Sequence, residues 1–468
     1  MVMLQNLAAP VASPITEIVI RALEEQIANR RASYTIYRAY YGGHQNAKLT
    51  DRLKRILQPE GLEFRDNFSE VVVDALAERL KVIGFESADE KLVEWAWTLW
   101  MQNRMDYLQG VVHTEAAMLG DAYVLVDWNA ETERPRFAYQ PPELIVPHYG
   151  EESQKIEWAS KKWLWTPGIG QAPVTRLNLY YPDRVEKYAA ASGVWRQHQD
   201  EGEKDWPQPW TDDARLPLGV PIIHFRNKPL GAHFGGSELI NVIPLQDMVN
   251  KIVVDLAQVL DTMAFGQRWT LDIVGSQTEY DVVPGAIAEF HSEDPERAGA
   301  VGEFVAADPT GLLYSLEMTV QHIAGTSRTP QHLFQIAGGD PSGESLRMAE
   351  SGLVNKARER SFGWGNSWED CFKMALRLDQ VFGTDAPSPK EFDMETSWDQ
   401  FASRDVQGEM LALQTKRDLG VPRRQLWREM GYTEAQIVQM EEDLQEQKVA
   451  ETNLGAAILE EFNKGRNV

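Results

Sequence analysis

The sequence contains a single cysteine, Cys371, among its 468 residues. One thiol cannot form a disulfide within the chain or build a thiolate metal site, and such usage is typical of a reducing compartment. No run of residues approaches the roughly 20 apolar residues that a membrane-spanning helix needs. Cations are also scarce, since 46 Lys and Arg stand against 70 Asp and Glu, for a formal net charge of -24. This balance argues against a basic clamp on nucleic acid, because such a clamp needs clustered cations facing the phosphates.

What the sequence does contain is the composition of an ordinary folded protein. Hydrophobic residues make up 43% and charged residues 25%, and fifteen Trp residues are far too many for a disordered chain. A length of 468 residues exceeds what one compact core usually accommodates. We therefore expect two or more structural units, and we find no internal repeat or long low-complexity linker.

The first 236 residues predict an α+β unit. Helical spacing is clearest from Asn67 to Leu80 and from Lys91 to Leu108. Trp95, Trp97 and Trp100 in the second helix could form a stacking platform, but their apolar neighbours favour packing in a core. Short apolar runs between turn residues predict strands at 122–126, 136–139, 156–165, 175–181, 185–189 and 221–226.

A long amphipathic helix is predicted from about Ser237 to Met263. At about 1.5 Å per residue it would form a rod of roughly 40 Å. Polar residues gather opposite an apolar stripe, and Val254 alone interrupts the polar arc. The residues expected to pack along the stripe are Leu245, Met248, Val249, Ile252, Leu256, Val259 and Leu260. One chain can cover such a stripe only partly, so we expect copies of the chain to form a ring or bundle.

An acidic, strand-like lobe at about 266–308 separates this helix from a shorter return helix at about 312–323. A loop through Arg328 and Pro330 follows, and helical character then continues from about Glu344 to Phe382. Three glycines in this last helix, Gly352, Gly363 and Gly365, predict a kink or a break.

Residues that typically begin or end helices predict a separate helical segment from about 404 to 462. Gly420 and Gly431 are expected to close helices, and Pro422 to open one. Thr433 and Gln436 form a capping-box pattern for the next helix.

No motif predicts catalysis. Gly338 and Gly343 have the glycine spacing of a phosphate-binding loop, but Glu344 stands where that motif needs a lysine, and a carboxylate would repel phosphate. The simpler interpretation is a Gly-rich connection with Asp340 as helix N-cap and Pro341 at the first helical position. The nine histidines lack metal-ligand spacing, and no nucleophile elbow is present. We therefore expect no catalytic residues, no cofactor and no metal.

Acidic pairs such as Asp212 with Asp213 could act as general acid and base, although solvated turn and helix surfaces explain them more simply. A few basic residues are grouped locally, with Arg328 in the loop and Lys356, Arg358 and Arg360 on the long helix. They could contact phosphates, or they could form ion pairs with acidic neighbours.

Several segments, taken in order, resemble those of tailed-phage portal proteins, most closely the siphophage branch common in actinobacterial phages. The first three are Tyr40-Tyr41-Gly42-Gly43-His44, the helix and strand that begin at Asn67 with Val72-Val73-Asp74, and the strand Gly120-Asp121-Ala122-Tyr123-Val124. The others are Gly236-Ser237-Glu238-Leu239, Arg328-Thr329-Pro330, Ser342-Gly343-Glu344-Ser345-Leu346 and Gly431-Tyr432-Thr433. Their common order spans nearly the whole chain, although we find no family residues between Thr270 and Leu312.

The resemblance implies an α+β, portal-type fold that is predominantly helical. Its parts would be a wing (1–236 and, with the long helix, 344–403), a helical stem (237–265 and 309–325), a small β-containing clip (266–308), a channel loop (326–343) and a helical crown (404–468). The channel-facing residues would include Arg328, Gln331, His332, Lys356 and Arg360.

Portal proteins of this kind form a ring, typically twelvefold, at one capsid vertex of the virion, after assembly in the host cytoplasm. The resemblance implies that the ring conducts double-stranded DNA during packaging and ejection. It also implies contacts with major capsid and scaffolding proteins, then with the large terminase and the head-tail connector, and none with a membrane. The alternatives are another virion structural protein, such as a minor head protein or scaffold, or a nucleotide-dependent DNA-processing enzyme.

Overall fold

The chain folds as two units, residues 1–402 and 403–468. The computed structural model describes residues 10–45, 66–264 except 167, 169, 171, 192, 201, 202, 204 and 230–232, then 268–271, 287–290, 300–303, 308–334, 343–402 except 385 and 390, 413–430, and scattered residues from 432 to 445. Both helices and sheets are present, so the predicted α+β class is confirmed.

In the first part of unit one, the described residues contain four helices. They are α1 (Pro14–Tyr41), α2 (Phe68–Ala77), α3 (Glu90–Gln102) and α4 (Met105–Leu119). Polar side chains cap the N-termini of α1 and α3. Ser13 accepts a hydrogen bond from the Thr16 amide at 3.1 Å, and Asp89 accepts one from the Lys91 amide at 3.0 Å. Helix α4 ends at Gly120, whose φ of 94° a residue with a side chain rarely adopts.

Two antiparallel sheets follow. The smaller has the order β10-β2-β3, with β2 (Asp121–Asn129), β3 (Arg134–Gln140) and β10 (Ile222–Arg226). The larger has the order β4-β5-β6-β7-β8, with β9 paired to β7. Its strands are β4 (Ile145–Tyr149), β5 (Ile156–Trp165), β6 (Val174–Tyr180), β7 (Arg184–Ala191), β8 (Val194–Gln197) and β9 (Gln208–Pro209). All six predicted strands are confirmed, whereas β4, β8 and β9 were not predicted.

The long helix predicted from Ser237 is α5, and it begins six residues later, at Ile243, and ends at Ala264. Residues 238–242 form turns instead, because the Glu238 amide donates to the Ala117 carbonyl at 3.0 Å and is held against α4. The return helix, α6 (Thr310–Ser327), packs along α5. Between them the described strands β11 (Arg268–Leu271), β12 (Ile287–Phe290) and β13 (Ala300–Glu303) form a sheet of order β12-β11-β13, as the strand-like lobe predicted.

Helix α7 (Gly343–Phe382) runs through 40 residues without a break, so the break that was one of the two predicted outcomes at its glycines is wrong. A Cβ at Gly365 would lie 3.5 Å from the Trp398 indole nitrogen, which is an ordinary contact distance, so Trp398 packs beside this part of the helix. Trp398 ends β14 (Glu395–Trp398), which pairs antiparallel with β1 (Val82–Glu86) in a sheet that the sequence pattern did not reveal. Helix α7 also packs against β2, β3 and β10.

In the second unit, the chain is helical at 413–418 and again in α8 (Arg423–Glu429). Gly420 lies between them with a φ of 87°, and the Leu426 amide donates to the Pro422 carbonyl at 3.2 Å. One helix therefore ends at Gly420 and the next begins at Pro422, as predicted. Gly431, Thr433 and Gln436 lie outside the described residues.

The main core of the first unit joins α2, α3, α4, β2 and α7 around large aromatic side chains. Trp100 is fully buried, with its ring 4.9 Å from that of Trp368, while Trp95 donates to Asp379 at 2.7 Å and Trp97 is more than one third exposed. Core packing therefore explains Trp95 and Trp100, as expected.

His113 of α4 is a fully buried histidine in this core. Its Nδ1 donates to the Leu80 carbonyl at 2.7 Å, and its Nε2 accepts from the Trp368 indole at 3.0 Å. Both ring nitrogens are therefore satisfied only when the ring is neutral. Burial lowers the pKa of His113 to about 4, although the bond to Leu80 raises it.

We expect the free energy of unfolding to fall as the pH drops from about 6.5 to about 4. The unfolded chain takes up a proton on this histidine from about pH 6.5, whereas the folded chain resists until about pH 4, so protonation favours unfolding by on the order of 3 kcal/mol across the window. Urea titrations at several pH values measure the slope, which His113→Asn should reduce. The control is the same substitution at the exposed His322, which should leave the slope unchanged. An unchanged slope in His113→Asn would show that His113 is not the source of the pH dependence.

Candidate functional site

The segments Gly120–Asp121 and Gly235–Glu238 meet at the base of α5, and we call this contact the junction. The Asn227 amide donates to the Gly120 carbonyl at 2.8 Å, and the Gly236 amide donates to the Asn227 carbonyl at 2.6 Å. Ser237 donates to the Met118 carbonyl at the end of α4. The junction thus ties the start of α5 to β2, β10 and α4.

Backbones approach each other so closely at the junction that only glycine fits. A Cβ added to Gly235 would lie 1.9 Å from the Gly120 carbonyl oxygen and 2.4 Å from the Asn227 carbonyl oxygen. A Cβ at Gly120 would lie 2.7 Å from the Gly235 carbonyl oxygen. The glycines in these two sequence segments therefore have a packing role.

Asp121 is buried beside the junction and accepts hydrogen bonds from four groups. These are Arg30, Tyr34 at 2.9 Å, His224 at 2.8 Å and the Gly235 amide at 2.8 Å. Burial alone would raise the pKa of the Asp121 carboxyl, but His224 and Arg30 hold it below its usual value. A charged carboxylate therefore joins α1, β10 and the junction.

A second buried carboxylate, Glu238, is surrounded by three cations. Its carboxylate lies 2.6 Å from the Lys228 ammonium, 2.7 Å from the Lys356 ammonium and 3.8 Å from the Arg360 guanidinium. Burial would raise the pKa of the Glu238 carboxyl, but Lys356 and Lys228 together lower it. We call these four residues the Glu238 cluster.

The Glu238 cluster also holds the end of α6. Lys356 donates a hydrogen bond of 3.0 Å to the carbonyl of Ser327, the last residue of α6, where a cation interacts favourably with the helix dipole. Arg360 donates to the Asn227 side chain at 2.5 Å. One cluster therefore fixes the start of α5, the end of α6 and the middle of α7 relative to each other.

The structure corrects the sequence interpretation of Lys356 and Arg360. Both had been predicted to face a channel, but both are buried in the Glu238 cluster, so the ion-pair alternative applies to them. Arg358 of the same helix is exposed. Helical spacing placed Lys356 and Arg360 on one face, but it could not reveal that a carboxylate from another segment covers that face.

The loop after α6 carries the remaining predicted site residues. Arg328 ends the helix with a φ of 56°, and it is exposed, as is Gln331. His332 is partly exposed and lies 3.8 Å from Glu350, which also pairs with Arg79 at 3.2 Å. The described part of this loop thus presents Arg328 and Gln331 on its surface. Residues 335–342, which include most of the phosphate-loop-like segment, lie outside the described residues.

The apolar stripe of α5 is covered unevenly by its own chain. Val249 and Ile252 are buried, and Leu245, Leu256 and Val259 are half-buried. Met248 is 54% and Leu260 49% exposed, so the described chain covers only about half of each of these two predicted packing residues. Part of the predicted polar arc is not exposed, because Asn250 and Val254 are buried, and so is Gln246. The chain covers the base of α5 on its polar side and leaves apolar residues open further along.

Sequence reasoning missed the roles of Asp121, His224, Lys228 and Glu238. The signal available was weak, since a lone acidic residue beside glycines also fits an exposed turn. Within the described residues, no group of three or more His, Cys, Asp or Glu could hold a metal ion. In the same part of the chain, no helix combines the length and apolar character needed to cross a membrane. The Asp212 carboxylate accepts a hydrogen bond from the Leu216 amide at 2.7 Å and so stabilises a turn.

Comparison with known proteins connects this architecture with one family. A family model described as phage portal protein, SPP1 Gp6-like, matches residues 24–450. The portal protein of Mycobacterium phage D29 is 24% identical over 449 residues, which cover 90% of this chain and 86% of that protein. The portal protein of Mycobacterium phage L5 is 25% identical over 358 residues, covering 71% and 68%. The chain therefore belongs to the SPP1 Gp6-like family of phage portal proteins.

Proposed function

We propose that this chain is the subunit of a ring at one capsid vertex that conducts double-stranded DNA during packaging and ejection. Membership of the portal family supports a structural role in the virion. The observation that carries the ring is the open apolar side of α5, where Met248, Leu260 and Met263 are each more than 40% exposed. Neighbouring copies of α5 and α6 would bury this surface.

The portal-type layout is part of the same proposal. Residues 1–236 and 344–403 would form the wing, α5 and α6 the stem, 266–308 the clip and 404–468 the crown. Two features support a stem in this position. Helices α5 and α6 pack together, and the described strands of the lobe join them at the end away from the Glu238 cluster.

Loop 326–343 would face the lumen and bring Arg328, Gln331 and His332 toward DNA. Arg328 and Gln331 are exposed, which supports this placement. A duplex carries about one negative charge per 1.7 Å, so a lining of carboxylates with sparse cations would let DNA slide rather than bind it tightly. The net charge of -24 agrees with such a lining.

The ring would contact major capsid and scaffolding proteins during assembly. The clip would then dock the large terminase and later the head-tail connector, which leaves ATP hydrolysis to the motor. The support for these partners is the family assignment alone. The ring would be twelvefold, as in portal proteins of this kind.

We expect the purified chain to form annular particles and the double variant Met248→Glu/Leu260→Glu to lose them. Both positions are exposed, so the variant should fold, while carboxylates at every subunit interface would oppose the burial of apolar surface. Native mass spectrometry and negative-stain imaging would count the subunits. Imaging the same rings with duplex DNA would measure the distance from Arg328, Gln331 and His332 to the phosphates.

The control is Lys251→Gln, which removes an exposed charge from the polar side of α5 and should leave rings intact. A wild-type chain that stays single at high concentration would contradict the proposal. Rings formed equally well by the double variant would show that this face is not the interface.

A further inference from the structure

The Glu238 cluster holds more positive than negative charge. Lys228, Lys356 and Arg360 surround one buried carboxylate, and the two ammonium groups share the same carboxylate oxygen, Oε2, at 2.6 and 2.7 Å. Glu359 also pairs with Arg360, at 3.2 Å, but its side chain is 68% exposed, so water and salt screen its charge. Lys356 and Arg360 are each less than one tenth exposed. The buried part of the cluster therefore has an excess of cations, in a chain whose net charge is -24.

A single carboxylate does not compensate fully for burying these cations. Burial lowers the pKa of the Lys356 ammonium, and Lys228 and Arg360 lower it further, so the contact with Glu238 does not restore the usual value. A charge removed from water is stabilised by a counter-charge and by hydrogen bonds that use its donors. A second anion beside the cations would supply both.

Donors remain on these cations for a further anion. An ammonium group has three N–H donors. Within the described residues, Lys228 gives one of them to Glu238, and Lys356 gives two, to Glu238 and to the Ser327 carbonyl. The Nη2 atom of Arg360 lies 3.8 Å from Glu238, which is too far for a hydrogen bond. Lys228 is 35% exposed, so the cluster is open to solvent at this residue.

Arg328 adds a cation at the surface beside the cluster. It follows Ser327, whose carbonyl accepts from Lys356, and its Cβ would lie 3.7 Å from a Cβ added at Gly352, one turn before Lys356 on α7. The Arg328 side chain is exposed and makes no ion pair with any described residue. Arg328 and Lys228 both have a positive φ, of 56° and 47°, which residues with a side chain seldom adopt. Such strained positions are frequent where a protein binds a ligand.

We propose that the Glu238 cluster and Arg328 bind one oxyanion of the phosphate class where α5 and α6 leave the core. Lys228 and Arg328 would contact it directly, and the buried charges of Lys356 and Arg360 would attract it. Phosphate oxygens accept hydrogen bonds from ammonium and guanidinium groups, and such charge-assisted bonds are roughly twice as strong as neutral ones. Free phosphate and the phosphodiester of a nucleic acid share this chemistry.

Calorimetric titration of the full-length chain with inorganic phosphate, at constant ionic strength and near neutral pH, tests this inference. We expect saturable binding of one phosphate per chain. Lys228→Gln and Arg328→Gln should each weaken binding about tenfold, because each removes a charge-assisted hydrogen bond. Both side chains reach solvent, so both variants should fold, and urea titration would verify this.

A second titration, with short duplex DNA, distinguishes the two sources of the anion. If the two variants also weaken duplex binding, the site takes a phosphodiester of the DNA backbone. If phosphate binding depends on Lys228 and Arg328 but duplex binding does not, the site takes free phosphate. Either result agrees with an oxyanion site.

Lys251→Gln is the matched control. Lys251 lies 2.6 Å from Asp255, the same distance that separates Lys228 from Glu238, but it is 58% exposed and lies outside the Glu238 cluster. This variant should bind phosphate like the wild type. The inference is overturned if the wild type does not bind phosphate, if Lys228→Gln and Arg328→Gln bind it equally tightly, or if Lys251→Gln weakens binding as much. None of these outcomes depends on ring formation.

Discussion

Replacing Glu238 by Gln is expected to lower the free energy of unfolding by about 3–5 kcal/mol, because it leaves buried cations without a counter-charge. The Lys356 and Arg360 side chains are each less than one tenth exposed, so water cannot compensate for the lost carboxylate. Urea unfolding followed by circular dichroism would measure the change. Since the cluster holds the start of α5 and the end of α6, proteolysis in the lobe should also become faster.

Glu359→Gln is the matched control for this effect. Glu359 also pairs with Arg360, at 3.2 Å, but its side chain is 68% exposed, so its loss should cost only about 0.5 kcal/mol. Adding Lys356→Met to Glu238→Gln should restore part of the stability, because the uncompensated charge is removed as well. Equal stabilities for Glu238→Gln and Glu359→Gln would show that the buried cluster is not what joins the three helices.

Replacing Gly235 by Ala is expected to destabilise the chain by about 3 kcal/mol or more, or to prevent folding. The new methyl group would meet backbone oxygens of Gly120 and Asn227, and neither is the end of a flexible side chain that could move aside. The hydrogen bond from the Gly235 amide to Asp121 would be strained at the same time. Soluble yield and the urea midpoint of the purified variant provide the measurement.

Gly236→Ala offers a control one residue away. A Cβ there would meet nothing nearer than 3.8 Å, so we expect a change within about 1 kcal/mol, in either direction. If both alanine variants behaved alike, the close approach of the two segments at the junction would not limit stability. The comparison separates backbone contact from the general effect of replacing glycine.

Glu238 and Gly235 lie in the same part of the molecule, and the position of that part matters for the proposed function. The junction and the Glu238 cluster lie where α5 and α6 leave the core of the first unit. If α5 and α6 are the stem of a ring, their roots must hold a fixed position while DNA passes. Buried ion pairs with full hydrogen bonding are suited to fixing geometry, although they add little net stability compared with an apolar core.

Local periodicity explains why so much of the fold could be predicted from the sequence. Short apolar runs between turn residues predicted β2, β5 and β10, and the helical period predicted α5, because both patterns depend on neighbours within a few residues. The unbroken course of α7 was not predicted, because glycines favour a break locally, whereas the packing of α7 against β2, β3, β10 and β14 is a property of the tertiary structure. The start of α5 was missed because α4, more than a hundred residues earlier, holds residues 237–238.

The sequence by itself determined the α+β class, the order of most of the elements, the apolar stripe on α5 and the resemblance to portal proteins. Only the tertiary structure decided that Asp121 and Glu238 are buried carboxylates and that Lys356 and Arg360 turn inward toward Glu238. The reason is physical. The period of a helix or strand is set by local backbone geometry, whereas the environment of a charge depends on which distant segments the fold brings against it.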